Sequence, residues 1–132
     1  MPITAFYASL LTPLFLVLAV RVVAVRKSAR VALGDGGDRA LLRRIRAHAN
    51  FAEYVPLALV LMGLAESLSA SAWLLHGTGV ALLAGRALHA FSVSRQREDI
   101  RHRVAAMLTT FAVLAILAAT CFVLSARRAF MG

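Results

Sequence analysis

The sequence predicts an all-α integral membrane four-helix bundle, on three observations. Of its 132 residues 61% are hydrophobic and the mean hydropathy is +0.78, too apolar for a soluble domain of this size. Four stretches, Ile3 to Val25, Ala47 to Leu68, Ala72 to Ser94 and Val104 to Ala126, each supply the roughly 20 mostly apolar residues a helix needs to cross the hydrocarbon. The formal charge of +9 is concentrated: of 15 basic residues, seven lie between Arg26 and Arg46 and four between Arg95 and Arg103, while the short second connection has none. By the positive-inside rule the two basic connections face the cytoplasm and both termini lie on the non-cytoplasmic side. A charge distributed in this way serves orientation in a membrane and argues against nucleic acid as a partner.

Taken in order, one membrane domain covers residues 1–132, with helices at about 3–25, 39–68, 72–94 and 101–127. The first helix lacks the basic n-region and cleavage pattern of a removable signal and is expected to stay as an anchor. Pro13 stands near its start, and Arg21 lies close enough to the cytoplasmic end to snorkel. In the first connection, DGGD (Asp35 to Asp38) reads as a turn and not as a phosphate cradle, because no strand precedes it and no GxxxxGK pattern is present. Asp38 is a suitable N-cap for a second helix that begins outside the lipid with Arg39, Arg43, Arg44 and Arg46.

That second helix breaks the apolar rule. Arg43, Arg46, Asn50, Glu53 and Tyr54 recur at three- and four-residue steps and so share a face, a polar ladder that carries Glu53 roughly 9 Å below an interface near Ala47. Pro56 follows the ladder and loosens the backbone there. An unanswered carboxylate at that depth costs on the order of 2.5 to 3.5 kcal/mol, so a partner or a ligand is required. The third helix offers Arg86, roughly 12 Å from its cytoplasmic end, with His89 one turn nearer the rim. Gly77, Gly79, Ala81 and Gly85 on the same helix are small enough to allow close approach of neighbours. His76, near the opposite interface, reads as an interfacial or hydrogen-bonded histidine rather than a ligand, and Cys121, alone in the fourth helix, as packing with no disulfide or metal role.

Clustered arginines with one carboxylate in the cytoplasmic half suit a small ligand that carries several carboxylates and an ammonium, and the apolar walls suit a hydrophobic second substrate. Here the residues resemble a known family. Arg46, Asn50, Glu53, Tyr54 and Pro56 form RxxxN followed by EYxP; Gly85, Arg86, His89 and Ala90 form GRxxHA; and RxRVxxM begins at Arg101. The pattern is similar to bacterial-type members of the MAPEG family, membrane-associated proteins in eicosanoid and glutathione metabolism. The resemblance implies a homotrimer in the inner membrane that binds glutathione as co-substrate between adjacent subunits and attacks lipophilic electrophiles. Arg46 and Asn50 would hold the glutathione backbone and carboxylate, Glu53 its ammonium and Tyr54 a nearby polar group. His89 would line the site, beside Arg86. The arginine that activates the thiol maps to Arg103 or Arg101, with Arg103 favoured by the RVxxM that follows it. No metal is implied. Val93 stands where several members carry a tyrosine, a departure that bears on catalytic strength more than on binding.

Two other classes fit parts of the sequence. A non-catalytic trimeric scaffold or lipid-binding module would use the buried charges for assembly. A haem cytochrome would use His48, His76 and His89, which lie at unmatched depths. A small multidrug exporter is disfavoured because the first helix has no carboxylate.

Overall fold

The computed structural model describes residues 1–94 and 100–131, with the side chains of Val93, Ser94 and Met131 excepted. The basic run from Arg95 to Arg97 and the side chain of Val93 therefore lie outside the described residues. The chain forms four helices: α1 (Pro2–Ala29), α2 (Arg39–Ser67), α3 (Ala72–Ser94) and α4 (Ile100–Met131). α1, α2 and α4 are long and apolar enough to cross a membrane. α3 has the length, 23 residues, but its apolar sequence is diluted by His76, Arg86 and His89. The protein is thus the all-α membrane bundle the sequence predicts.

α1 and α4 continue past the apolar stretches, to Ala29 and Met131, because nothing in the polar flanks breaks a helix. α1 stops at Arg30, which takes a left-handed conformation (φ 55°), its N–H and that of Val31 both donating to the Arg26 carbonyl. α2 starts where Asp38 dictates: its carboxylate accepts from the N–H groups of Ala40 (2.7 Å) and Leu41 (3.3 Å).

α1 meets α2 and α3, α4 meets α2 and α3, and α2 and α3 also touch across the short diagonal, whereas α1 and α4 do not meet among the described residues. The core along this diagonal includes Leu11, Phe51, Val55, Met62, Leu75, Leu82, Val113 and Leu117. Much of the remaining apolar surface, such as Leu16, Val20, Val60 and Phe122, stays exposed in the chain, as a membrane protein requires.

The small residues of α3 do unequal work. A Cβ on Gly79 would overlap the Tyr7 ring, one on Gly85 would make ordinary contact with Thr109, and one on Gly77 would meet nothing. Gly79 therefore sets the α1–α3 approach. Gly79→Ala is expected to destabilise the bundle by about 1–3 kcal/mol, measured by thermal unfolding in detergent, while Gly77→Ala is neutral or stabilising.

At the terminal end Glu66 of α2 caps α1: its carboxylate accepts from Ile3 N (3.0 Å), Thr4 N (2.8 Å) and Thr4 Oγ1 (2.7 Å). A carboxylate on the orphan amides of a helix N-terminus is favourable by both hydrogen bonding and the helix dipole. Glu66→Ala should cost about 1–2 kcal/mol and let α1 fray, seen as faster amide exchange at Ile3 and Thr4. His76 is hydrogen-bonded, as its position suggests, with Nδ1 3.1 Å from the Tyr7 hydroxyl.

Candidate functional site

At 3.6 residues per turn, Glu53, Arg46, Asn50 and Tyr54 fan over an arc of about 100° on α2. Packing divides that arc. At one edge the Tyr54 ring meets Phe111 of α4 edge-on, with centroids 5.5 Å apart. In the middle, half-buried Asn50 accepts through Oδ1 from Arg86 Nη1 of α3 at 2.6 Å. At the other edge Arg46 and Glu53 are exposed, nearly eclipsed two turns apart, and neither side chain has a polar partner among the described residues.

Arg86 is the largest fully buried side chain, 1% exposed. Its second terminal nitrogen lies 3.7 Å from Met107 Sδ of α4. Its Nε has no hydrogen-bond partner among the described residues. His89, one turn further along α3, is buried, within electrostatic reach of both Arg86 and Arg103. Arg103 and Arg101 lie on the exposed first turns of α4. Asn50, Arg86 and Met107 thus form a cluster where α2, α3 and α4 converge near the end that carries the basic connections, with Tyr54 and His89 one turn along their helices and Arg103 four residues before Met107.

Of the two answers left open for Glu53, a partner in Arg86 or a ligand, the pairing with Arg86 is not made. Arg86 is held by Asn50, because Asn50 is the ladder residue that α2 turns toward α3, whereas Glu53 lies about 60° further round the helix on the uncovered side. From Arg46 to Tyr54 the ladder is continuous along α2, but packing splits it between an inward pair, Asn50 and Tyr54, and an outward pair, Arg46 and Glu53. Two contacts, the thioether of Met107 and the ring of Phe111, were not legible as site features, since each reads as ordinary apolar packing. The histidines do not converge: His48 stacks on Phe15 (4.9 Å), His76 bonds Tyr7 and His89 sits by Arg86. An apolar cavity of about 320 Å³ opens between α1 and α2, lined by Leu11, Phe15, Phe51, Val55 and Leu59 among others, and none of the predicted site residues lines it.

The ladder, the GRxxHA segment, Arg101 and Arg103 lie within residues 4–123, the region matched by the model of the MAPEG family. The chain belongs to the MAPEG family. This MAPEG chain is also 37% identical over 115 residues to the inner membrane protein YecN of Escherichia coli K12, an alignment covering 87% of this chain and 86% of that one. YecN of the O6:H1 strain CFT073 matches to the same extent. The MAPEG match leaves out only the first three residues and the end of α4 beyond Val123, so every residue of the cluster falls inside it.

Proposed function

We propose that this MAPEG protein is a membrane-bound glutathione-dependent transferase or peroxidase that attacks lipophilic electrophiles, with its basic connections in the cytoplasm. The observation that carries the reading is the split ladder. Arg86 consumes the Asn50 oxygen and thereby fixes the amide so that Nδ2 is left to donate. Beside that donor stand a guanidinium, Arg46, and a carboxylate, Glu53, both unpaired among the described residues. A donor, a cation and an anion in a row complement the carbonyls, carboxylates and ammonium of glutathione. Because Arg46 and Glu53 face outward, a second protomer is needed to close the site, in keeping with a homotrimer that binds the tripeptide between subunits.

Buried Arg86 acts in this reading by positioning Asn50 and by the positive potential it adds, and Tyr54 and His89 line the wall between it and Arg103. Arg103, or Arg101 two residues before it, stabilises the thiolate over the thiol and so supplies a nucleophile at neutral pH. With an aryl halide, sulfur forms a bond to the ring carbon and halide leaves with the bonding pair. With a hydroperoxide, sulfur attacks the terminal oxygen, the O–O bond breaks to release the alcohol, and a second thiol converts the sulfenic acid to a disulfide and water.

The test is conjugation of glutathione to an activated aryl halide by the detergent-solubilised protein, with a panel of low-molecular-weight thiols alongside. Turnover that saturates with one thiol supports the reading; bound thiol with no turnover of any electrophile overturns the enzymatic claim. The Asn50–Arg86 bond also stabilises a protomer without any ligand, which favours the scaffold as the second reading. Calorimetric titration separates the two, because a scaffold gives no heat with glutathione.

A further inference from the structure

Apart from the thiol site, the first connection builds a groove at the end of α1. Arg26 Nη1 donates to the carbonyls of Gly34 (2.8 Å) and Ala32 (3.4 Å), drawing the loop back over the last turn of the helix. Gly36, in a left-handed conformation (φ +58°), lies so close to Val31 that an added Cβ would fall 2.6 Å from its Cγ2. The loop so folded borders a shallow, open groove of about 490 Å³ lined by Val23, Arg26, Lys27, Arg30, Val31 and Ala32. Arg26 is occupied by the loop, but the ammonium of Lys27 and the guanidinium of Arg30 have no partner among the described residues.

The register of α1 continues this groove into the bilayer. Leu16, Val20, Val23 and Lys27 follow at four-, three- and four-residue steps and form one stripe, and the three apolar members are 55%, 64% and 63% exposed. The 28 residues of α1 extend about 42 Å, some 12 Å more than the hydrocarbon is thick, so its last turns stand at headgroup level. An apolar stripe that rises out of the lipid into two unpaired cations is complementary to one kind of molecule.

We propose that this groove binds an anionic phospholipid, its phosphodiester between Lys27 and Arg30 and one acyl chain along Val23, Val20 and Leu16. Paired basic residues at a membrane surface attract anionic headgroups, each contributing about fivefold in affinity. The folded loop adds shape, which a merely basic surface lacks.

The full chain in nonionic detergent is titrated with phosphatidylglycerol or with phosphatidylcholine of the same chains, and bound lipid is read by native mass spectrometry, with inorganic phosphate as competitor. Phosphatidylglycerol should be retained, phosphatidylcholine should not, and phosphate should fail to displace the lipid. The Lys27→Gln/Arg30→Gln variant should bind phosphatidylglycerol roughly 25-fold more weakly. Gly36→Val, which displaces Val31 without changing the charge, should weaken it several-fold with helicity retained, and Arg39→Gln/Arg43→Gln should leave it within about twofold. Equal retention of phosphatidylcholine, displacement by phosphate, an unchanged Gly36→Val, or an equal loss in the Arg39/Arg43 variant each overturns the site.

Discussion

Replacing Arg103 with alanine should lower kcat for conjugation to an aryl halide by about 100-fold or more at pH 7 while glutathione still binds, with KM changed only a few-fold. The guanidinium acts on the charge that develops at sulfur, and removal of one such preorganised group ordinarily costs 10²–10³ in kcat. In the proposed site, binding rests instead on Arg46, Asn50 and Glu53 of α2. The sign of the pH dependence follows. A cation beside the thiol holds its ionisation below that of a free thiol, about pH 8.5. The wild-type rate should then be nearly flat above neutrality, whereas the Arg103→Ala rate should rise about tenfold per pH unit between 7 and 8 as hydroxide replaces the guanidinium. Stopped-flow absorbance of the bound thiolate near 240 nm checks the same point without turnover. A flat profile in the variant would transfer the role to Arg101, and the same substitution there decides it.

The second large effect lies in the Asn50–Arg86 bond. Asn50→Ala removes the acceptor from a guanidinium that is 1% exposed and has Met107 as its other described partner. A buried charge left without its acceptor is far more costly than an apolar replacement of both partners, so Asn50→Ala should destabilise the bundle by about 2–4 kcal/mol in thermal or denaturant unfolding. The double variant Asn50→Ala/Arg86→Met should recover at least half of that loss, because α3 then packs a flexible apolar chain between α2 and α4. It should nonetheless bind glutathione at least tenfold more weakly, since the donor at position 50 is gone. Recovery of stability together with full thiol binding would remove Asn50 from the proposed site.

These two predictions show how the site divides between sequence and structure. The ladder from Arg46 to Tyr54, GRxxHA and the α4 arginines are visible as polar residues at helical spacing inside apolar sequence, a signal that is strong because ions in lipid are costly. The direction in which each side chain turns is not visible. Residues within about 100° on one helix can share a face or straddle its edge, and which occurs depends on how α2 lies against α3 and α4. Arg86 was legible as a buried charge in need of an answer, but Asn50 and Glu53 are three residues apart and sequence spacing cannot choose between them. Glu66 stands in the sequence only as a carboxylate near the end of an apolar span. Its task as the cap of α1 joins residues more than 60 apart, and no local pattern encodes that.

The sequence by itself determined that this protein is a helical membrane bundle, where α2 begins, and which residues carry charge into lipid, because burial of apolar surface, the Asp38 cap and the cost of buried ions act over one helix at a time. Only the tertiary structure decided that Arg86 is held by Asn50 and that Glu53 and Arg46 remain outward and unpaired among the described residues, because the choice among partners is made by the contact of three helices.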